Sequence, residues 1–265
     1  MSYKEIIYNK EGNLGIITIN RPERMNALTY LALQEMTDAL EDAACDPQVR
    51  ALIFTGTGDR AFSAGHDFSH LQGIASGEEK LAASQQESEE SIFSFFPRLY
   101  ELEKPTLAAI NGVVAVGSFG VILACDIRIA SDKARFAPRF LKRSLLPHNG
   151  VSWFLPRLLG ESRALELLYS DDILDAEQAL KLGLVSHVVP HDKLMEFTKE
   201  YATRIGNGPP LAMALTKRLI HQAFSSPSPR QQNEEKYQQQ CHETEDFKEA
   251  VAAFQEKREP IFRGH

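Results

Sequence analysis

Short apolar runs alternate with amphipathic stretches along most of this chain. Residues 6–8 and 15–19 read as two short strands, with 9–13 between them as a hairpin turn. Pro22 then ends the second strand and opens a loop. Residues 29–44 carry Leu31, Met36, Leu40 and Ala43 at helical spacing, and 50–56 form the next apolar run. Strand, helix and strand joined by short links predict a right-handed βαβ unit.

The pattern repeats further along. A polar segment, 68–94, precedes a helix at 92–102 that Pro97 is expected to kink. Residues 106–111 are a strand running into the glycine-broken stretch Ile110 to Asp126, and 127–131 and 134–136 are two more strands. A turn at 145–150 leads into helices at 151–159, with Pro156 inside, and 161–169. Asp175 caps a helix at 176–182, Gly183 closes it, and 184–189 is a strand. The rest reads as helix: 193–205, 210–224 and 230–257. The expected fold is α/β with a C-terminal helical extension, a core at 1–200 and helices at 201–265.

Composition narrows the function. A net charge of −7, spread along the chain, offers no surface for nucleic acid. The three cysteines, Cys45, Cys125 and Cys241, lie far apart without metal spacing, which fits a reducing compartment with no disulfide framework and no zinc site. The N-terminus lacks a signal-like apolar segment, and no run approaches the ~20 residues that span a bilayer. A cytoplasmic protein off the membrane is expected.

The stretch from Ile110 to Asp126 is where chemistry is expected. An apolar strand turns through Gly117 and Gly120 toward a helix, and backbone N–H groups at such a turn can hold an oxyanion. The alternative is a tight core turn in which glycine relieves crowding. Gly112 to Ser118 imitates a phosphate loop but lacks its lysine, and neither a dinucleotide fingerprint, a Gly-x-Ser-x-Gly elbow nor a His-Glu-x-x-His motif occurs.

Four segments together resemble the enoyl-CoA hydratase/isomerase, or crotonase, superfamily. They are Asn20-Arg21-Pro22 through Leu28, Ala61-Phe62-Ser63-Ala64-Gly65-His66-Asp67, residues 105–131 with Ile110-Asn111-Gly112, and 176–185. The resemblance implies a crotonase-like spiral of ββα units, a homotrimer or hexamer, and an acyl-CoA substrate whose coenzyme A is part of the thioester. No separate cofactor is implied. It makes the backbone N–H groups of His66 and Gly117 the pair that polarises the thioester carbonyl. It places coenzyme A along the loops holding Arg24, Ala27, Ala64 and Asp67, with Lys257 on a tail often supplied by a neighbouring subunit. By charge Arg24 and Lys257 are candidate phosphate partners, or else solvated surface cations.

The chain departs from the family pattern at two positions. Hydratases of the family use two glutamates to activate water; here those positions are Gly120 and Phe140, neither of which moves a proton. A third position, acidic in some members, is His148, either an acid/base or a loop histidine bonded to backbone. Asn149 beside it can orient water or a carbonyl. Ser118 reads as a small residue next to Gly117, and Asp171-Asp172 as a solvated pair or pocket-reaching acids. Two functions follow: an acyl-CoA enzyme of isomerase, decarboxylase or hydrolase type, or a non-catalytic module on the same scaffold that binds acyl-CoA or a protein.

Overall fold

The structure is a computed structural model that describes residues 3–67, 95–222, 236–237 and 240–264. Strands β1 (Ile6–Glu11) and β2 (Leu14–Ile19) form an antiparallel hairpin. Its turn is only Gly12-Asn13, tighter than the five-residue turn expected, because Gly12 adopts a φ of 58°. Helix α1 (Tyr30–Cys45) is capped by Thr29, whose Oγ1 accepts from the Ala32 N–H at 3.0 Å. Leu33, Met36, Leu40 and Ala43 make its buried face, whereas Leu31, expected on that stripe, is exposed.

The chain then repeats one course three times. A strand enters a large sheet, the next enters a small sheet, and a helix returns. The courses are β3 (Ala51–Gly56), β4 (Ala61–Ser63) and α2 (Phe95–Glu101), which contains Pro97; β5 (Thr106–Ile110), β6 (Val113–Ala115) and α3 (Phe119–Ala124); and β7 (Ile127–Ser131), β8 (Arg135–Ala137) and α4 (Val151–Leu159). This is the ββα spiral. After α5 (Glu161–Ser170) come β9 (Leu174–Asp175), α6 (Ala176–Leu182) and β10 (His187–Val189). The large sheet has order β1-β2-β3-β5-β7-β10, parallel from β2 onward, and the small one β4-β6-β8-β9.

Every residue of β3 and β5 is buried, as expected for parallel strands covered on both faces. One face packs Ile17, Ile19, Leu52 and Phe54 into the main core with α1 and α2. The other packs Leu14, Ile16, Ile53 and Leu107 under α7 (Leu194–Gly206). Residue 200, where the boundary was expected, lies inside this helix.

Two further expectations change. The strand expected over 184–189 is only β10, because Leu184 and Val185 are buried in the turn that follows α6. The single helix expected over 230–257 breaks at Thr244, whose Oγ1 accepts from Phe247 N at 3.1 Å and starts α9 (Glu245–Glu256) afresh. Helix α8 (Pro210–His221) lies between. The segment 68–94 and the ends of the expected helices at 92–94, 223–224 and 230–235 fall outside the described residues. Among the described residues no helix is long and apolar enough to cross a membrane.

Candidate active site

The small sheet builds the site, because its three parallel strands each end in one of the loops that carry candidate residues. This is the carboxyl end of the strands, where α/β sheets leave a crevice. The corners feeding those strands are fixed by buried amides. Asn111 Nδ2 donates to the carbonyls of Gly56 at 2.9 Å and Gly58 at 2.7 Å, and Asn26 Nδ2 donates to those of Thr57 at 3.0 Å and Ala61 at 2.8 Å.

Beyond β4, Ala64 to Asp67 is sewn to the loop before α1. Leu28 N–H donates to Gly65 O at 2.8 Å, and Asp67 N–H donates to Leu28 O at 3.0 Å. In a parallel bridge, bonds at the residues flanking His66 turn the N–H of His66 itself away from Leu28. The far side of β4 is β6, so the His66 amide is directed toward the loop that carries Gly117.

Beyond β6, Val116 opens the 3-10 turn Val116–Ser118 with a φ of 49°. A β-branched residue in the left-handed region stores about 1–3 kcal/mol. Ser118 holds that conformation. Its Oγ accepts from Ala115 N at 3.0 Å and lies 2.9 Å from Ser63 O and 2.7 Å from Ala115 O. Ser118 is therefore more than a small residue; it ties β4 to the Gly117 turn. Gly65 makes the approach possible, since a Cβ there would meet Ala115 O at 2.7 Å and Gly117 N at 3.3 Å. Gly117 is as tightly placed against the His66 ring, where a Cβ would meet Cδ2 at 2.6 Å and Nε2 at 3.0 Å.

Beyond β8 comes the third loop. Phe140 is 1% exposed and belongs to the core, which is why an aromatic ring fits there. His148 packs edge-on against it at 5.3 Å and lies 5.4 Å from the His66 ring, at 31°. The His148 Nδ1 is 3.0 Å from Leu146 O. A carbonyl only accepts, so Nδ1 carries a proton, and in the neutral ring the lone pair lies on Nε2. Asn149 is 5% exposed with a φ of 57°, and its Nδ2 lies 2.8 Å from His66 Nε2 and 3.1 Å from Gly117 O. Gly120 leaves room for this loop: a Cβ there would lie 2.7 Å from Asn149 Cβ and closer still to its carbonyl oxygen.

The structure brings His66, Gly117, His148 and Asn149 together. Arg24 is exposed at the end of a 3-10 turn, three residues before the buried Ala27, and Ala64 N–H donates to Met25 O at 3.0 Å, so those candidates share one lip of the site. The Asp67 carboxylate pairs with Arg21 at 2.9 Å, and Arg21 also donates to Ala27 O at 2.8 Å. Lys257 ends α9, exposed, and no hydrogen bond or ion pair among the described residues joins its ammonium to that lip. In the tail after it, Arg263 and Gly264 line one hollow with Val49, Arg50, Lys104 and Pro105, which precede β3 and β5. Asp171 is buried at the end of α5, 3.8 Å from Arg139, while Asp172 is exposed. An apolar hollow of about 690 Å³ is lined by Tyr100, Trp153, Phe154, Met213 and Ile220, and none of His66, Gly117, His148 and Asn149 lines it.

Residues 9–265 match the family model described as Enoyl-CoA hydratase/isomerase. The chain belongs to the enoyl-CoA hydratase/isomerase family. It is similar to a crotonyl-CoA hydratase of Syntrophomonas wolfei, 35% identical over 263 residues and 99% of each chain. A trans-2-decenoyl-[acyl-carrier-protein] isomerase of Streptococcus mutans is 32% identical over 265 residues and 100% of each. Among solved structures, an enoyl-CoA hydratase from Bacillus anthracis superposes with a TM-score of 0.91 at 30% identity, covering 99% of this chain and 100% of that one. The crotonase fold and an acyl-CoA-processing enzyme of this family follow from these matches.

Two members of the site were underread in the sequence. Asn149 and Gly150 carry an Asn-Gly turn signal that describes the backbone and says nothing of where the amide points. Arg21 sits in the Asn-Arg-Pro segment, but its link to Asp67, 46 residues away, needs the fold.

Proposed function

We propose that this family member binds an acyl-CoA thioester with its carbonyl oxygen on the N–H groups of His66 and Gly117 and catalyses double-bond isomerisation rather than hydration. His148 Nε2 takes a proton from the carbon next to the thioester. The C–H electron pair becomes the enolate, whose oxyanion the two amides stabilise, each amide contributing about 3 kcal/mol. The same imidazolium then returns the proton at the γ-carbon, and the double bond moves into conjugation without net gain or loss of atoms. One base suffices, and no water has to be activated.

The observation that carries this reading is the His148 imidazole beside His66, with Nδ1 committed to Leu146 O and Nε2 left as the basic nitrogen. Gly120 and Phe140 support it, since hydration in this family relies on glutamates at those positions. The name of the Streptococcus mutans relative is consistent with it. Decarboxylation and thioester hydrolysis pass through related oxyanions and are the readings nearest to it. Arg24, Ala27, Ala64 and Asp67 would line the coenzyme A path, and Lys257 would reach it from a neighbouring subunit of a cytoplasmic homotrimer or hexamer. Purified protein offered a panel of 3-enoyl-, malonyl- and saturated acyl-CoA thioesters should isomerise the first, and His148→Ala should lose about 10²–10⁴-fold. An alanine variant with full turnover removes His148 from the mechanism. Tight binding of the panel with no conversion at all supports the non-catalytic module.

A further inference from the structure

We propose that Asn149 is a positioning residue that fixes His66 as the neutral Nδ1–H tautomer, and so leaves His148 as the one imidazole of the pair able to accept a proton at Nε2. The inference rests on the reading of His148 as the proton carrier.

The argument begins at the Gly117 carbonyl, which can only accept. Asn149 must therefore face it with the amide nitrogen, at 3.1 Å. Turning the amide over would set two oxygens against each other at that distance. The amide nitrogen has two hydrogens. With one on Gly117 O, the other meets His66 Nε2 at 2.8 Å. A nitrogen that accepts this bond carries its lone pair there, so the His66 proton resides on Nδ1 and the ring is neutral. An imidazolium at His66 would point an N–H at an N–H.

The placement of Asn149 is specific. Its backbone lies at a φ of 57°, a region asparagine tolerates better than most residues, and its Cβ occupies the space that Gly120 leaves open. Asn149 Oδ1 is buried with no hydrogen-bond partner among the described residues. Such a group is unusual and calls for a reason beyond packing. The reason is the other end of the amide, which links the carbonyl of the Gly117 turn to the His66 ring. His148 takes the same tautomer but engages the other nitrogen: its Nδ1–H faces Leu146 O, and no hydrogen bond to its Nε2 is found among the described residues. The two rings lie 5.4 Å apart, so a proton taken up by His148 meets a neutral neighbour rather than a second cation.

The test is a ¹⁵N–¹H long-range correlation spectrum of the histidine side chains, with His66 assigned by its loss in His66→Gln. The expected result is a His66 ring protonated at Nδ1 and bare at Nε2, in protein without substrate. Asn149→Asp should reverse this, because a carboxylate accepts from Nε2 and draws a proton to it. Asn149→Ala should lower kcat about 10–100-fold with the KM for an acyl-CoA changed less than about twofold, as expected when a group is misplaced by a fraction of an ångström. A wild-type His66 protonated at Nε2 overturns the proposal, whether or not either variant folds. An Asn149→Asp spectrum identical to wild type also overturns it. The tautomer is read without turnover, so a protein that shows it but isomerises nothing refutes the proposed function and leaves the role of Asn149 standing.

Discussion

Gly120 is the second residue of α3, and within a helix alanine ordinarily stabilises relative to glycine by up to about 1 kcal/mol. Here the opposite sign is expected. A Cβ at 120 would sit 2.7 Å from Asn149 Cβ, about 0.7 Å short of ordinary contact, and closer still to a backbone oxygen that cannot swing away. The loop must retreat by at least that much. A retreat of about 0.7 Å takes the 3.1 Å bond to Gly117 O out of range and stretches the 2.8 Å bond to His66 to its limit. Overpacking costs about 1–3 kcal/mol, and two hydrogen bonds net about 1 kcal/mol each. Less the helix gain, Gly120→Ala should destabilise by about 2–4 kcal/mol and lower turnover about 10²-fold through the displaced His66. Urea unfolding followed by circular dichroism measures the first, as a lower midpoint at unchanged slope. A midpoint equal to or above wild type would mean that the loop does not occupy this space, and the steric reason for glycine at position 120 would fail. By the same geometry, Gly120→Glu should not create a hydratase.

Arg128 is 7% exposed and donates to the carbonyls of Leu184 at 2.9 Å and Cys125 at 2.7 Å, closing the far end of α3. Arg128→Met should cost about 2–4 kcal/mol by leaving those acceptors unpaired, and Arg128→Lys should not restore it, since one ammonium cannot reproduce the fork. Arg21→Met removes a partner of Asp67 and a donor to Ala27 O, and should raise the KM for acyl-CoA more than it lowers kcat, with about 1–2 kcal/mol lost in unfolding. His221 stacks on Tyr100 at 3.6 Å; burial pushes its imidazole down to about 4, Lys217 adds to this, and Asp126 opposes it. The unfolded chain takes up this proton near pH 6.5 and the folded one only near 4, so stability should fall as pH drops through that window. Melting temperatures of wild type and His221→Gln across pH 4–7 check this, the variant showing the shallower decline.

The parts legible in the sequence were those that depend on local pattern. Short apolar runs located most strands of the large sheet together with β8, though not β4 or β9, and period-3.6 spacing located most helices; Asp175 and Gly183 marked α6 as its capping box and left-handed C-cap require. Motif order paired His66 and Gly117 as candidates, and the structure brings the two close together. The parts missed are those in which one side chain answers another far along the chain. Leu31 fits the helical stripe by number but faces outward, because the sheet contacts the face bearing Leu33 and Met36. Thr244 is an ordinary polar residue in a helical run until its hydroxyl caps the next helix. Gly120 and Asn149 lie 29 positions apart, and only the fold turns an absent side chain at one into the space that the other fills.

The most direct test of the account offers the protein a 3-enoyl-CoA and crotonyl-CoA side by side and identifies the products by mass spectrometry. In deuterated water the first should yield the conjugated 2-enoyl-CoA of the same carbon skeleton, with deuterium incorporated by exchange at His148, and crotonyl-CoA should remain unhydrated. Rapid conversion of crotonyl-CoA to 3-hydroxybutyryl-CoA, with the 3-enoyl thioester untouched, would contradict it.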